Sequence, residues 1–178
     1  MLDDAEHAPD RRSRRTRKAI GDALIRLVFT RRYDAIRMAD LIEEAGVGRS
    51  TFYEHFRNKD EVLIAVLDPI LLPLAAGGAG RGAAPALRAA LAHMWERRAA
   101  GRALFGPALT PRLQKRLAAM IEARITPLEA REAPPTLIAT ATAAGQLAML
   151  RLWLTGEVSC PVDVLARRLM TWPRTAGD

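Results

Sequence analysis

The chain has 178 residues, 49% of them hydrophobic, 26% charged and only 5% aromatic, the profile of a soluble globular protein holding one domain or a small module plus a larger one. A single cysteine, Cys160, excludes an internal disulfide and any multi-cysteine metal site, and suits a reducing cytosol. The net charge is +7, but residues 1–75 hold 13 basic and 13 acidic side chains while residues 76–178 hold 14 and 7, so overall charge says little about nucleic acid and local clustering says more.

In chain order, residues 1–10 read as a disordered leader without the apolar core of a signal peptide. The cluster "RRSRRTRK" (Arg11 to Lys18) follows and, taken alone, fits a solvated tail as well as a basic arm. A first helix is predicted over 13–30, with Ile20, Leu24, Leu27 and Val28 on one face. A second spans about 38–45 with Met38, Leu41, Ile42 and Ala45 inward, ending at Gly46, where a left-handed turn is expected. Phe52 and Phe56, four apart, turn one face of a short third helix inward and leave Arg49, Ser50, Thr51, Tyr53 and His55 outward or sideways.

Asn58 to Glu61 reads as an N-cap with a capping-box glutamate opening a fourth helix. Its stripe is Leu63, Val66, Leu67, Ile70 and Leu74. Pro69 inside it removes a backbone hydrogen bond and predicts a kink or early break. The segment "AAGGAGRGAA" (Ala75 to Ala84) is expected to be a flexible joint; its glycines lack the spacing of a dinucleotide site.

Beyond it come helices over about 84–99 (Leu87, Leu91, Met94, Trp95), from Thr110 and Pro111 (Leu113, Leu117, Met120, Ile121), over 135–155, and from Cys160 and Pro161 (Val162, Leu165, Ala166, Leu169), the two prolines suiting a first helical turn. The fold class is therefore all-α. Residues 133–150 carry no charge and pass a membrane test by length, but alanines, threonines, Gly145 and Gln146 make them only weakly hydrophobic. A helix buried inside a soluble protein is expected, and no membrane partner.

Two short helices joined by an Ala-Gly-Val turn, the second rich in hydroxyls, form a helix-turn-helix. Ser50 and Thr51 are short enough to approach phosphates and base edges, Arg49 reaches a guanine edge, and Tyr53 and His55 donate to phosphate oxygens. Lys59 at the start of the fourth helix, with the helix dipole, offers another phosphate site. The basic run then reads as an arm along the DNA backbone. Tyr53, His55 or Lys59 singly would be an ordinary surface residue; their ordered co-occurrence makes the case.

With "TRKAIGDALIRL" and "RYDAIRMADLIEEAGVGRSTFYEHFRNKDEVL", the chain resembles the TetR/AcrR family of bacterial transcriptional regulators from about Arg17 to Leu63. The resemblance implies a three-helix helix-turn-helix DNA-binding domain over 11–58 and a connecting helix over 59–74. After the joint at 75–84, it implies a helical ligand-binding and dimerisation domain over 85–178. DNA contacts are implied for Arg49, Ser50, Thr51, Tyr53, His55 and Lys59, with Arg17 and Lys18 from the basic run. Arg37 stands where the family often has a threonine that caps the second helix and touches a phosphate, so that the contact becomes ionic or is lost. Gly48 and Arg32 also depart from the usual residues.

The partners expected are a double-stranded DNA operator, a second copy of the chain through the two C-terminal helices, and an unidentified small-molecule effector. Met94, Trp95, Met120, Thr142, Gln146 and Met149 are candidate pocket residues, although such stripes are usually core. No cofactor, metal site or enzymatic constellation is expected: the three histidines (His7, His55, His93) are scattered, and no nucleophile–base order or phosphate loop occurs. The reading is a cytoplasmic, ligand-responsive repressor. The competing one is a lipid- or partner-binding module of the same fold, against which the basic arm and the hydroxyl-rich helix argue.

Overall fold

A computed structural model describes residues 7–82, 84–126 and 133–170. The described residues are helical or connecting, with no strand, and the chain divides into two compact units, Met1–Leu67 and Asp68–Asp178.

The first unit contains α1 (His7–Thr30), a 3₁₀ turn (Tyr33–Ala35), α2 (Met38–Ala45), α3 (Arg49–His55) and the opening turns of α4 (Lys59–Gly78). On α1, Ile20, Leu24 and Leu27 of the expected stripe are buried, together with Ala23, while Val28 is half-buried. A side chain at Gly21 would bring its Cβ to 2.9 Å from Val66 Cγ2, so hydrogen at that position lets α1 and α4 pack closely. Tyr33, Ile36, Leu41, Phe52, Phe56, Val62 and Leu63 complete this core. The expected leader is shorter than read: residues 7–10 form the first turn of α1, and residues 1–6 lie outside the described residues.

Asn58 caps α4 as expected. Its Oδ1 accepts the Glu61 N–H at 2.9 Å, and Glu61 Oε2 accepts the Arg57 N–H at 2.8 Å. The early break expected at Pro69 does not occur, because α4 runs through both Pro69 and Pro73 to Gly78.

The glycine-rich segment also differs from its expectation as a joint. Gly80 (φ 66°) closes α4 in a Schellman arrangement, with Gly80 N–H to Gly77 O at 2.9 Å and Arg81 N–H to Ala76 O at 2.8 Å. Gly78 lies where a Cβ would meet Thr142 Cγ2 at 2.9 Å and Gln146 Nε2 at 3.0 Å. These glycines serve a helix end and a close helix approach inside the second unit. The division between units falls earlier, after Leu67.

The second unit packs the rest of α4 with α5 (Ala84–Glu96), α6 (Arg98–Leu104), α7 (Thr110–Glu122), α8 (Pro135–Thr155) and α9 (Val162–Met170). Where one helix over 84–99 was expected, α5 stops at Glu96 and α6 follows. Gly101 on α6 lies where a Cβ would sit 3.1 Å from Leu154 Cδ1, a close approach to α8 that has no sign in local sequence. Leu87, Leu91, Leu113, Leu117, Ile121, Leu150, Leu165 and Leu169 are buried. Asp68 ties α4 to α7 through two bonds from Arg116 (3.1 and 2.8 Å), and this hydrogen bonding raises the Arg116 guanidinium above its ordinary pKa.

Helices α4 and α8 are each long and apolar enough to cross a membrane by length and composition. The α8 helix, however, buries Gln146 completely, with Nε2 donating to Leu74 O at 3.0 Å and to Leu169 O at 2.9 Å. Its apolar character thus serves a protein core.

Candidate nucleic-acid interface

The turn between α2 and α3 is made by three residues. Gly46 adopts φ 64°, ψ 32°, and the α2 end is capped by Gly46 N–H to Glu43 O (3.0 Å) and Val47 N–H to Ile42 O (3.4 Å). Gly48, at φ −65°, ψ 149°, occupies the N-cap of α3 with ordinary extended backbone. The second helix restarts within three residues because one glycine supplies the left-handed conformation that L-residues resist.

Burial orients α3. Phe52 is fully buried and its ring stands edge-on to Tyr53 at 5.6 Å and tilted against Phe56 at 6.2 Å. Arg49, Ser50, Tyr53 and Glu54 are left exposed, with Thr51 and His55 at the margins. Arg49 Cζ stands 5.9 Å from the centre of the Tyr53 ring, so the exposed guanidinium lies beside an exposed phenol. This face offers donors of two lengths, hydroxyls and a guanidinium, of the kinds that meet phosphates and base edges. Glu54 was not anticipated. A carboxylate there accepts hydrogen bonds and repels phosphates, and only the burial of its neighbours reveals that it shares the face.

The supporting helices are fixed to α1 by charge. Arg26 donates to Glu44 Oε1 at 2.5 Å and to Glu44 O at 3.1 Å, and Arg31 pairs with Asp40 at 3.2 Å. Asp40 in turn accepts the backbone N–H of Arg37 at 2.9 Å, which caps α2 from within and leaves the Arg37 side chain exposed at the helix start.

Two of the expected phosphate contacts are engaged within the protein. Arg17 Nη1 donates to His55 O at 3.2 Å, and its guanidinium lies 4.5 Å from the centre of the Phe56 ring; it caps the end of α3. Lys59 Nζ donates to Tyr33 O and Ile36 O, both at 2.8 Å. The first turn of α4 also carries Asp60 and Glu61, so its positive helix end already faces carboxylates. Lys18 is exposed and paired with Asp22 at 2.5 Å. The basic cluster is helical, since Arg11 to Lys18 lie within α1, which begins before the expected residue 13.

Met94, Met120, Thr142 and Gln146 are buried packing residues, Thr142 Oγ1 donating to Ile138 O at 2.8 Å. Trp95 is 39% exposed and stacks on Trp153 at 4.7 Å, and Met149 is half-buried. A surface groove of about 510 Å³ between α7 and α8 is lined by Pro111, Gln114, Lys115, Ala118, Ala119, Glu122, Thr136 and Thr140. Gln146 Oε1 is a buried oxygen without a hydrogen-bond partner among the described residues. No group of three or more His, Cys, Asp or Glu side chains able to hold a metal ion occurs among the described residues.

Two short helices across a left-handed glycine, the second showing a polar face and held by α1 and α4, define a helix-turn-helix module of the transcription-factor type. Residues 20–66 match the family model for bacterial regulatory proteins of the tetR family. Over 46 residues the chain is 39% identical to the HTH-type transcriptional regulator EthR of Mycolicibacterium smegmatis, a match covering 26% of this chain and 21% of that protein. The match thus spans about a fifth of that curated relative's length. The fold as a whole is similar to the crystal structure of a TetR transcriptional regulator from Streptococcus agalactiae 2603V, with a TM-score of 0.56, 23% identity, and coverage of 93% of this chain and 97% of that one. The helix-turn-helix over residues 20–66 is thus of the kind found in the tetR family of bacterial regulatory proteins.

Proposed function

We propose that this protein is a cytoplasmic transcriptional regulator, a repressor, that binds a palindromic DNA operator as a homodimer and is released by a small-molecule effector. The observation that carries DNA binding is the face of α3, where Arg49, Ser50 and Tyr53 are exposed while Phe52 and Phe56 anchor the helix from behind. In this reading Arg49 and Ser50 read base edges. Thr51, Tyr53, His55 and Arg37 meet phosphates and sugar, and Lys18 adds a more distant cation. Glu54 restricts the sequences tolerated, since it accepts only from a base amino group.

One helix-turn-helix per chain reads one half-site, so a two-fold dimer reads an inverted repeat with centres about 34–36 Å apart or a stretched version of that spacing. The α8 helix supports such pairing: Leu137 is 64% exposed, and Ala141 and Ala148 are exposed on the same side. Small side chains there permit close approach of a second copy, and Val164 on α9 is also exposed. The effector is a small molecule bound by the second unit.

Selection of duplexes from a random pool by the full chain tests this reading. Enrichment of an inverted repeat is expected; a pool that stays random after repeated rounds contradicts it.

A further inference from the structure

We infer that Lys59 is a positioning residue: its ammonium latches the α1–α2 connection to the start of α4 and so sets the α2–α3 pair, in place of a phosphate contact. The inference rests on the reading that α3 faces DNA.

Lys59 Nζ stands 2.8 Å from Tyr33 O and 2.8 Å from Ile36 O, and 4.6 Å from the centre of the Tyr33 ring. An ammonium has three protons. Two are directed at carbonyls, and the charge lies against an aromatic face, which favours a cation. Tyr33 and Ile36 are each 2% exposed, so water cannot readily replace the lysine at their carbonyls, and an unpaired buried acceptor is costly. The next residue of α4 makes a matching contact, Asp60 accepting a hydrogen bond from the Tyr33 hydroxyl. The phenol is therefore gripped by two consecutive residues of one helix.

Charge argues the same way. Asp60 and Glu61 occupy the first turn of α4. The Glu61 N–H is satisfied by Asn58 at 2.9 Å, so this helix end is poor in free donors and already faced by carboxylates.

The latched segment leads directly into the recognition pair. Ile36 immediately precedes Arg37, the N-cap of α2, and α2 continues through Gly46 into α3. A shift at Ile36 moves both helices.

Lys59→Met and Tyr33→Phe, each compared with the parent, decide the matter by two readouts. The first is amide hydrogen exchange of the free protein, where both variants should lose protection over residues 33–41. The second is affinity for a selected duplex across a salt series. Lys59→Met should weaken binding about tenfold at every salt concentration, as for one lost charge-assisted hydrogen bond, with the slope of log affinity against log salt unchanged.

A slope reduced by about one unit, with protection retained, is the signature of a lost phosphate cation and overturns the inference. Lys59→Gln, uncharged but still able to donate a hydrogen bond, carries the test if Lys59→Met does not fold. A parent that binds no duplex refutes the DNA reading alone. Exchange then decides the latch, lost protection supporting it and unchanged protection removing it.

Discussion

Replacing Gly46 by alanine should destabilise the protein although the added methyl touches nothing. A Cβ at this position has no atom within 4 Å, so no steric clash enters. The whole effect comes from φ 64°, a left-handed conformation that costs an L-residue roughly 1–2 kcal/mol. Alanine also narrows the unfolded ensemble, which offsets about 0.4–1 kcal/mol. The net loss is about 1 kcal/mol, a fall in melting temperature of about 2–4 °C for a chain of this length.

Gly48 is the internal control, two residues away. At φ −65° it is unstrained, and its added Cβ would approach nothing closer than Thr51 Oγ1 at 3.7 Å. Gly48→Ala gains the same chain stiffening and loses a little as a helix cap, so it should stay within about 0.5 kcal/mol of the parent. Urea unfolding followed by circular dichroism measures both, with the midpoint moving and the slope constant. Equal midpoints for Gly46→Ala and Gly48→Ala would refute the left-handed turn as the element that sets α3 against α2.

Gly78→Ala should lower stability by about 1–3 kcal/mol, because overpacking forces neighbours off their rotamers and the new Cβ would stand 2.9 Å from Thr142 Cγ2; an unchanged unfolding midpoint would mean that α4 and α8 yield freely there. Tyr53→Phe should weaken binding to all duplexes alike, whereas Arg49→Ala should relax one base position by about 1–3 kcal/mol; competition with single-base variants of a selected duplex separates the two. Arg116→Met should cost less than about 1 kcal/mol, since Arg116 and Asp68 keep 40% and 28% of their side chains exposed and solvent screens the pair; a larger loss in thermal unfolding would show a dry ion pair.

Local patterns that carry their own physics were legible in the sequence. The Ala45–Gly46–Val47 break, the inward pair Phe52 and Phe56, the Asn58–Glu61 cap and the Leu113–Ile121 stripe each involve residues within one or two turns, and each is found as read. What escaped depends on partners far along the chain. Arg17 and Lys59 look like free surface cations until folding brings the carbonyls of His55, Tyr33 and Ile36 to them. The glycines at 77–82 read as a joint because glycine weakens a helix in isolation. Their lack of side chains is what admits Thr142 and Leu87. Helix α6 stayed hidden for the same reason, its Gly101 being a contact surface for Leu154. A pocket is harder still, since buried methionines and threonines look the same whether they line a cavity or fill one.

Sequence-specific recognition of duplex DNA by the α3 face is the central claim. It is tested most directly by the affinity of the full chain for a selected duplex and for a scrambled duplex of equal length and composition, at one fixed salt concentration. A preference of about 10³-fold or more for the selected duplex is predicted, the lower end for specific DNA-binding proteins. Equal affinity for both duplexes would contradict it.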